Sequence, residues 1–137
     1  MMSDDLAALY ARAFPGQSGW GAADFREVLA SPGAFLRALP HAFALGRTAA
    51  DEAELLLIAT DPSHQRTGLG ARCLGAFHDE ARIRGAQSAF LEVAESNIGA
   101  RALYDAAGYV EVGRRNAYYS TDEGLPQTAL ILRRTLL

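Results

Sequence analysis

The sequence predicts one α/β domain built on a mixed sheet. Three observations carry this: helical and strand-like periods alternate through the middle of the chain, the end carries two strands in succession, and no repeat, low-complexity tract or linker divides it. Two adjacent strands joined by a short turn make an antiparallel pair, so the C-terminal part of an otherwise alternating sheet is antiparallel. At 137 residues, half of them hydrophobic, the chain is long enough to bury a core as a single domain, 1–137.

From the N-terminus, Leu6, Leu9, Tyr10 and Phe14 recur at helical spacing after Asp4 and Asp5, either of which suits a cap, and Pro15-Gly16 ends the run. Ala22 to Ala30 is a second helix with Phe25, Val28 and Leu29 on one face, stopped by Ser31-Pro32-Gly33. Ala34–Ala38 and His41–Arg47 read as a hairpin divided by Pro40, which suits a turn and not a strand centre. After the polar turn Thr48–Asp51, strand Glu54–Thr60 closes at Asp61-Pro62.

The longest helix runs from about Gly68 to Arg84 on an apolar stripe of Leu69, Cys73, Leu74, Phe77 and Ala81, with Gly85 as its stop. Strand Ala89–Val93, helix Asn97–Ala107 ended by Gly108, strand Tyr109–Tyr118, a turn over Thr121–Pro126 and strand Gln127–Leu136 complete the chain.

A net charge of -3 and no block of like charge argue against a surface that grips nucleic acid. All 13 basic residues other than histidine are Arg, a compositional bias that carries no chemistry by itself. One cysteine, Cys73, makes no internal disulfide, and no signal-peptide pattern or membrane-length apolar run is present, so an intracellular, soluble, cytoplasmic protein is expected. His41, His64 and His78 look scattered, and no metal site is expected. No Gly-x-Ser-x-Gly elbow or Ser/His/Asp set suggests a hydrolase.

Gln65-Arg66-Thr67-Gly68-Leu69-Gly70 stands after one strand and before the long helix. Backbone amides at a helix start attract a diphosphate, and glycines let phosphates approach the chain. An unliganded glycine-rich connection has the same spacing. Downstream, Glu92 is a carboxylate inside the apolar run Phe90-Leu91-Glu92-Val93, on the face shared with Phe90. Such a charge needs a partner, water or a cleft. Asn97 suits the cap of the next helix, and Tyr104, two turns on, suits either a core or a catalytic position.

This order of turn, carboxylate strand, Asn97 and Arg101-Ala102-Leu103-Tyr104 resembles the acetyl-CoA-binding core of the Gcn5-related N-acetyltransferases (GNAT). With Gly108-Tyr109 and Gly113-Arg114-Arg115-Asn116-Ala117-Tyr118-Tyr119, it is similar more narrowly to the ribosomal-protein alanine N-acetyltransferases of the RimI type. The likeness runs from about Leu6 to the C-terminus and is densest over Glu54–Tyr119. Members of that family begin with a strand ahead of the first helix, which is expected to be missing or vestigial here.

The resemblance implies an acetyl-CoA site in which the amides of Arg66, Thr67, Gly68, Leu69, Gly70 and Ala71, with Gln65 beside them, take the diphosphate. The main chain of Ile58, Ala59 and Thr60 would pair with the pantetheine arm, and Asn97 would touch it from the other side. It implies Glu92 as general base and Tyr104 as general acid, with Glu54 on the neighbouring strand as the rival base. Arg114, Arg115, Tyr118, Tyr119 and Trp20 are candidates for the acceptor entrance.

The expected partners are therefore acetyl-CoA and a peptide or protein N-terminus, with a ribosomal protein as one acceptor, and no nucleic acid or membrane. A small amine as acceptor, or a CoA-binding module without turnover, are the competing readings. Oligomeric state is left open.

Overall fold

Eleven segments follow one another in the computed structural model, whose described residues are 1–17, 19–64, 67–120 and 126–137, with 117–120 and 126 described by backbone alone. They are α1 (Ser3–Ala13), α2 (Ala22–Leu29), β1 (Ala34–Leu39), β2 (Ala42–Ala49), β3 (Glu52–Thr60), a 3-10 turn (Pro62–His64), α3 (Leu69–Ile83), β4 (Ser88–Ala94), α4 (Ile98–Ala106), β5 (Val110–Ser120) and β6 (Pro126–Thr135). Residues 121–125 of the predicted C-terminal turn, the side chains of Tyr118 and Tyr119, and all of Gln65 and Arg66 lie outside the described residues.

The strands form one six-stranded sheet in the order β1-β2-β3-β4-β6-β5. Only β3 and β4 are parallel; every other neighbouring pair is antiparallel. The mixed α/β sheet with an antiparallel C-terminal pair is thus as the periodicity predicts. No strand precedes α1 among the described residues, and β1 is one edge of the sheet.

Local differences have plain causes. α1 begins at Ser3 after Met2, and the Asp5 carboxylate accepts the Met2 N–H at 3.0 Å, so Asp5 satisfies the helix start from inside the first turn and not as its cap. His41 leaves the strand predicted for it and stands in the β1–β2 turn at φ 70, while the next turn shrinks to Ala50-Asp51. Asn97 does cap α4, its side-chain oxygen accepting the Ala100 N–H at 3.2 Å.

Two cores sandwich the sheet. On one face α3 and α4 bury Leu69, Cys73, Leu74, Phe77 and Tyr104 against Ala44, Leu55, Ala89, Leu91, Val93 and Leu130. On the other, α1 and α2 bury Leu6, Leu9, Tyr10 and Phe25 against Phe43, Leu45 and Ala59, with Trp20 packed on Phe25 at 5.0 Å between ring centres. This second layer lies over β1–β3. Over β4, β6 and β5 the same face carries no helix among the described residues.

A bulge in β3 redirects the sheet. Leu45 opposes Leu57 and the next residue, Gly46, opposes Leu55, so Leu56 is extra. Ala53 and Leu55 face α3, whereas beyond the bulge Leu57 and Ala59 face α1 and α2. An extra residue both flips the alternation and bends the strand.

Candidate active site

The bend opens the sheet. β3 and β4 pair only at Glu52↔Ser88, Ala53↔Ala89 and Glu54↔Phe90. Past that point β3 keeps its ladder to β2 on one side and, among the described residues, has no partner strand on the other, through Ile58, Ala59 and Thr60. An extended edge with alternating unused N–H and C=O groups accepts another extended chain carrying amides.

The gap leads to the glycine-bearing turn. Gly68 caps α3 in the left-handed region at φ 76, a conformation that explains its glycine without any ligand. Gly70 is different. It lies within the helix, and the atoms nearest to a Cβ there would be those of Leu103 and Thr60 at 3.7–3.9 Å, ordinary contact distances. Neither packing nor a positive φ requires glycine at 70, and glycine in a helix costs roughly 0.5–1 kcal/mol relative to alanine. Close approach of a ligand to the amides of Leu69, Gly70 and Ala71 is a physical reason to keep that position bare.

Ala89, Leu91 and Val93 are in the α3/α4 core, so Phe90 and Glu92 point to the opposite face, the one without a helix. Glu54 shares that face, beside Phe90 in the parallel register. Both rival bases are thus brought together, each paired with arginine: Arg47 Nη2 lies 3.3 Å from Glu54 Oε1, and Arg115 Nη2 lies 3.1 Å from Glu92 Oε1. They differ in position. Glu54 stands at the last paired step, whereas Glu92 stands two residues beyond it, where the strands have parted.

Tyr104 approaches from the other side of the sheet. The residue is 6% exposed in the α3/α4 core, its ring edge-on to Tyr109 at 5.8 Å. Burial pushes its pKa up to about 12, so the phenol keeps its proton at neutral pH. Behind it, Tyr109 Oη and His78 Nε2 form a buried hydrogen bond of 2.7 Å. Burial lowers the His78 pKa to about 4, which keeps the ring neutral.

Three features escaped the one-dimensional pattern. Arg114 ties the start of β5 to the end of β4, donating to Glu111 at 2.8 Å and Glu95 at 3.0 Å. The bulge at Leu56 left no signal in an all-apolar run. Two of the three histidines come together: Ala42 pairs with Thr60, so the turn before β2 meets the residues after β3, and His41 and His64 stack at 3.6 Å beside Asp61. Cys73 is fully buried with its pKa raised to about 12 by burial, which suits packing and not nucleophilic chemistry.

The family profile described as Acetyltransferase (GNAT) family matches residues 7–109. The chain is 45% identical over 83 residues to the ribosomal protein bS18-alanine N-acetyltransferase of Escherichia coli, a stretch that makes up 61% of this chain and 56% of that protein. The match thus spans little more than half of that relative. It is 37% identical over 122 residues to N-alpha-acetyltransferase RimI of Mycobacterium tuberculosis, covering 82% of this chain and 75% of that one. Its fold superposes on the crystal structure of the ribosomal-protein-S18-alanine N-acetyltransferase from Escherichia coli with a TM-score of 0.82, at 31% identity, over 99% of this chain and 90% of that one. Ard1 from Thermoplasma volcanium, at 23% identity and a TM-score of 0.78, shares the fold.

Proposed function

The chain belongs to the GNAT acetyltransferase family, and from that premise we propose that it moves the acetyl group of acetyl-CoA directly onto the N-terminal α-amine of a protein in the cytoplasm. A ribosomal protein beginning in alanine is the acceptor that the names of its relatives favour. The observation that carries the reading is the parting of β3 and β4 beyond Glu54 and Phe90, with the amides of Leu69–Ala71 at one end of the gap and Glu92 at its mouth.

In this mechanism the main chain of Ile58, Ala59 and Thr60 holds the pantetheine amides and the amides of Thr67–Ala71 hold the diphosphate. Asn97, already fixed as the α4 cap, lines the opposite wall. Glu92, held by Arg115, takes the proton from the acceptor amine, directly or through water. The amine nitrogen attacks the thioester carbonyl, the C–N bond forms and the C–S bond breaks. Tyr104, protonated and on the other side of the sheet, gives its proton to the departing sulfur.

Opposite placement suits the reaction, because the two proton transfers occur at different atoms on different sides of the reacting carbon. An α-amine, with a pKa of about 7.7–8.0, is also easier to deprotonate than a lysine side chain near 10.4. Arg114 and Arg115 sit beside this mouth and Trp20 lies under α2.

The test is thiol release from acetyl-CoA with peptides that differ only in a free or blocked N-terminus, beside free polyamines and aminoglycosides. Mass-spectrometric comparison of protein N-termini in cells with and without the gene then finds the acceptor. Turnover confined to small amines would reject the protein acceptor; binding without turnover on any amine would reject the enzyme.

A further inference from the structure

Beside the end of β3, the structure gathers three side chains of metal-ligating types that the proposed reaction does not use. His41 lies in the β1–β2 turn, Asp61 directly after β3, and His64 at the end of the 3-10 turn. Their ligand atoms lie within 4.8 Å of one another. Tetrahedral coordination at about 2.0–2.2 Å per bond separates neighbouring donors by roughly 3.3–3.6 Å, so closing the set asks for side-chain rotation and not for backbone movement.

We propose that His41, Asp61 and His64 bind one divalent transition-metal ion of the zinc class, at the base of the turn that leads into α3. Two imidazoles and one carboxylate are the borderline donor set that such ions take in preference to calcium or magnesium.

Several features hold the donors in place. His41 takes a positive φ of 70, uncommon outside glycine, and its carbonyl accepts the Asp61 N–H at 2.8 Å, which ties the two turns together. Asp61 Oδ1 accepts the Ser63 amide at 3.0 Å and hydroxyl at 2.8 Å. Ser63 Oγ lies 3.0 Å from His64 Nδ1, an outer partner that leaves Nε2 of the ring to face a metal. The His64 carbonyl in turn accepts the Thr67 hydroxyl at 2.8 Å, so an ion here would stiffen the approach to Gly68.

Two groups must yield. The imidazoles are parallel, 9° apart, and a metal lies in the plane of each ligating ring, so ligation turns them out of the stack. His41 is exposed and His64 half-buried, so both have room. Arg12 Nη2 lies 3.3 Å from Asp61 Oδ2 and competes for it, but the Arg12 side chain is half exposed and can swing into solvent.

The test uses the untagged full chain, stripped with a chelator and titrated calorimetrically with zinc chloride, and with cobalt(II) as a visible-light probe of geometry. One ion per chain is expected, with a tetrahedral cobalt spectrum and a higher Tm in zinc. His41→Asn, which tolerates the positive φ, and His64→Gln should each weaken binding by at least about tenfold, with circular dichroism and Tm in chelator unchanged. Absence of binding to the wild-type chain, or wild-type affinity in both variants, overturns the site. None of these readouts involves acetyl-CoA, so they stand or fall apart from the acetyltransferase reading.

Discussion

Arg115 on β5 reaches across β6 to Glu92 on β4, with Nη2 and Oε1 3.1 Å apart. The arginine orients the carboxylate at the mouth of the gap. The pair is partly exposed, 49% and 24%, so its contribution to stability is at most about 1 kcal/mol. Arg115→Gln should therefore leave Tm nearly unchanged while lowering kcat, a separation read from thermal melts and steady-state rates on one preparation.

Glu92→Gln removes the proposed base and should reduce kcat by about 10²-fold or more. Tyr104→Phe keeps the ring packed against Tyr109 and should cost a comparable factor at the thiolate-departure step. Acetyl-CoA affinity should persist in both. If Glu54→Gln were the more damaging change, the base would be reassigned to β3.

The two glycines of the turn should respond in opposite ways. Gly68→Ala places a Cβ in the left-handed region and should cost roughly 1–2 kcal/mol of stability. Gly70→Ala meets no clash and should hold or raise Tm, yet weaken acetyl-CoA binding by filling the approach to the amides. Equal affinity in wild type and Gly70→Ala, measured calorimetrically, would remove this residue from the diphosphate site.

His78 gives a pH dependence with a definite sign. Its pKa falls from 6.5 to about 4 on folding because burial disfavours the cation. The unfolded chain binds a proton between those values and the native chain does not, so stability is fully present above pH 6.5 and declines as pH falls toward 4. The loss reaches about 3 kcal/mol at most. Chemical denaturation across this range should show a shallower slope in His78→Gln than in wild type.

Cys73 should resist alkylation. With its thiol buried and its pKa raised to about 12, iodoacetamide should label it only as fast as the protein unfolds. Rapid labelling of the native chain would show that α3 does not seal this side of the core.

Gly46 marks how tightly that core closes. A Cβ there would stand 2.5 Å from Phe77 and 2.7 Å from Phe35, whose rings stack at 5.6 Å. Gly46→Ala should cost about 1–3 kcal/mol through overpacking, read as a lower denaturation midpoint with unchanged slope.

The sequence by itself determined what depends on neighbours along the chain. Leu69, Cys73, Leu74 and Phe77 recur at the helical period and form α3; Pro40 divides the hairpin; Asn97 caps α4; Gly85 and Gly108 end their helices. Turn, carboxylate strand and tyrosine helix follow in an order that marks the family. Tertiary structure decided what depends on pairing between distant segments. Leu55, Leu56 and Leu57 are alike in one dimension, and only the offset of β2 against β3 makes Leu56 the bulge that parts the strands. Only the ladder partner Thr60 of Ala42 sets His41 beside His64, and only the interposition of β6 sets Arg115 on Glu92. Periodicity specifies which face a residue presents within its own element, whereas register and strand order arise from the joint packing of all elements.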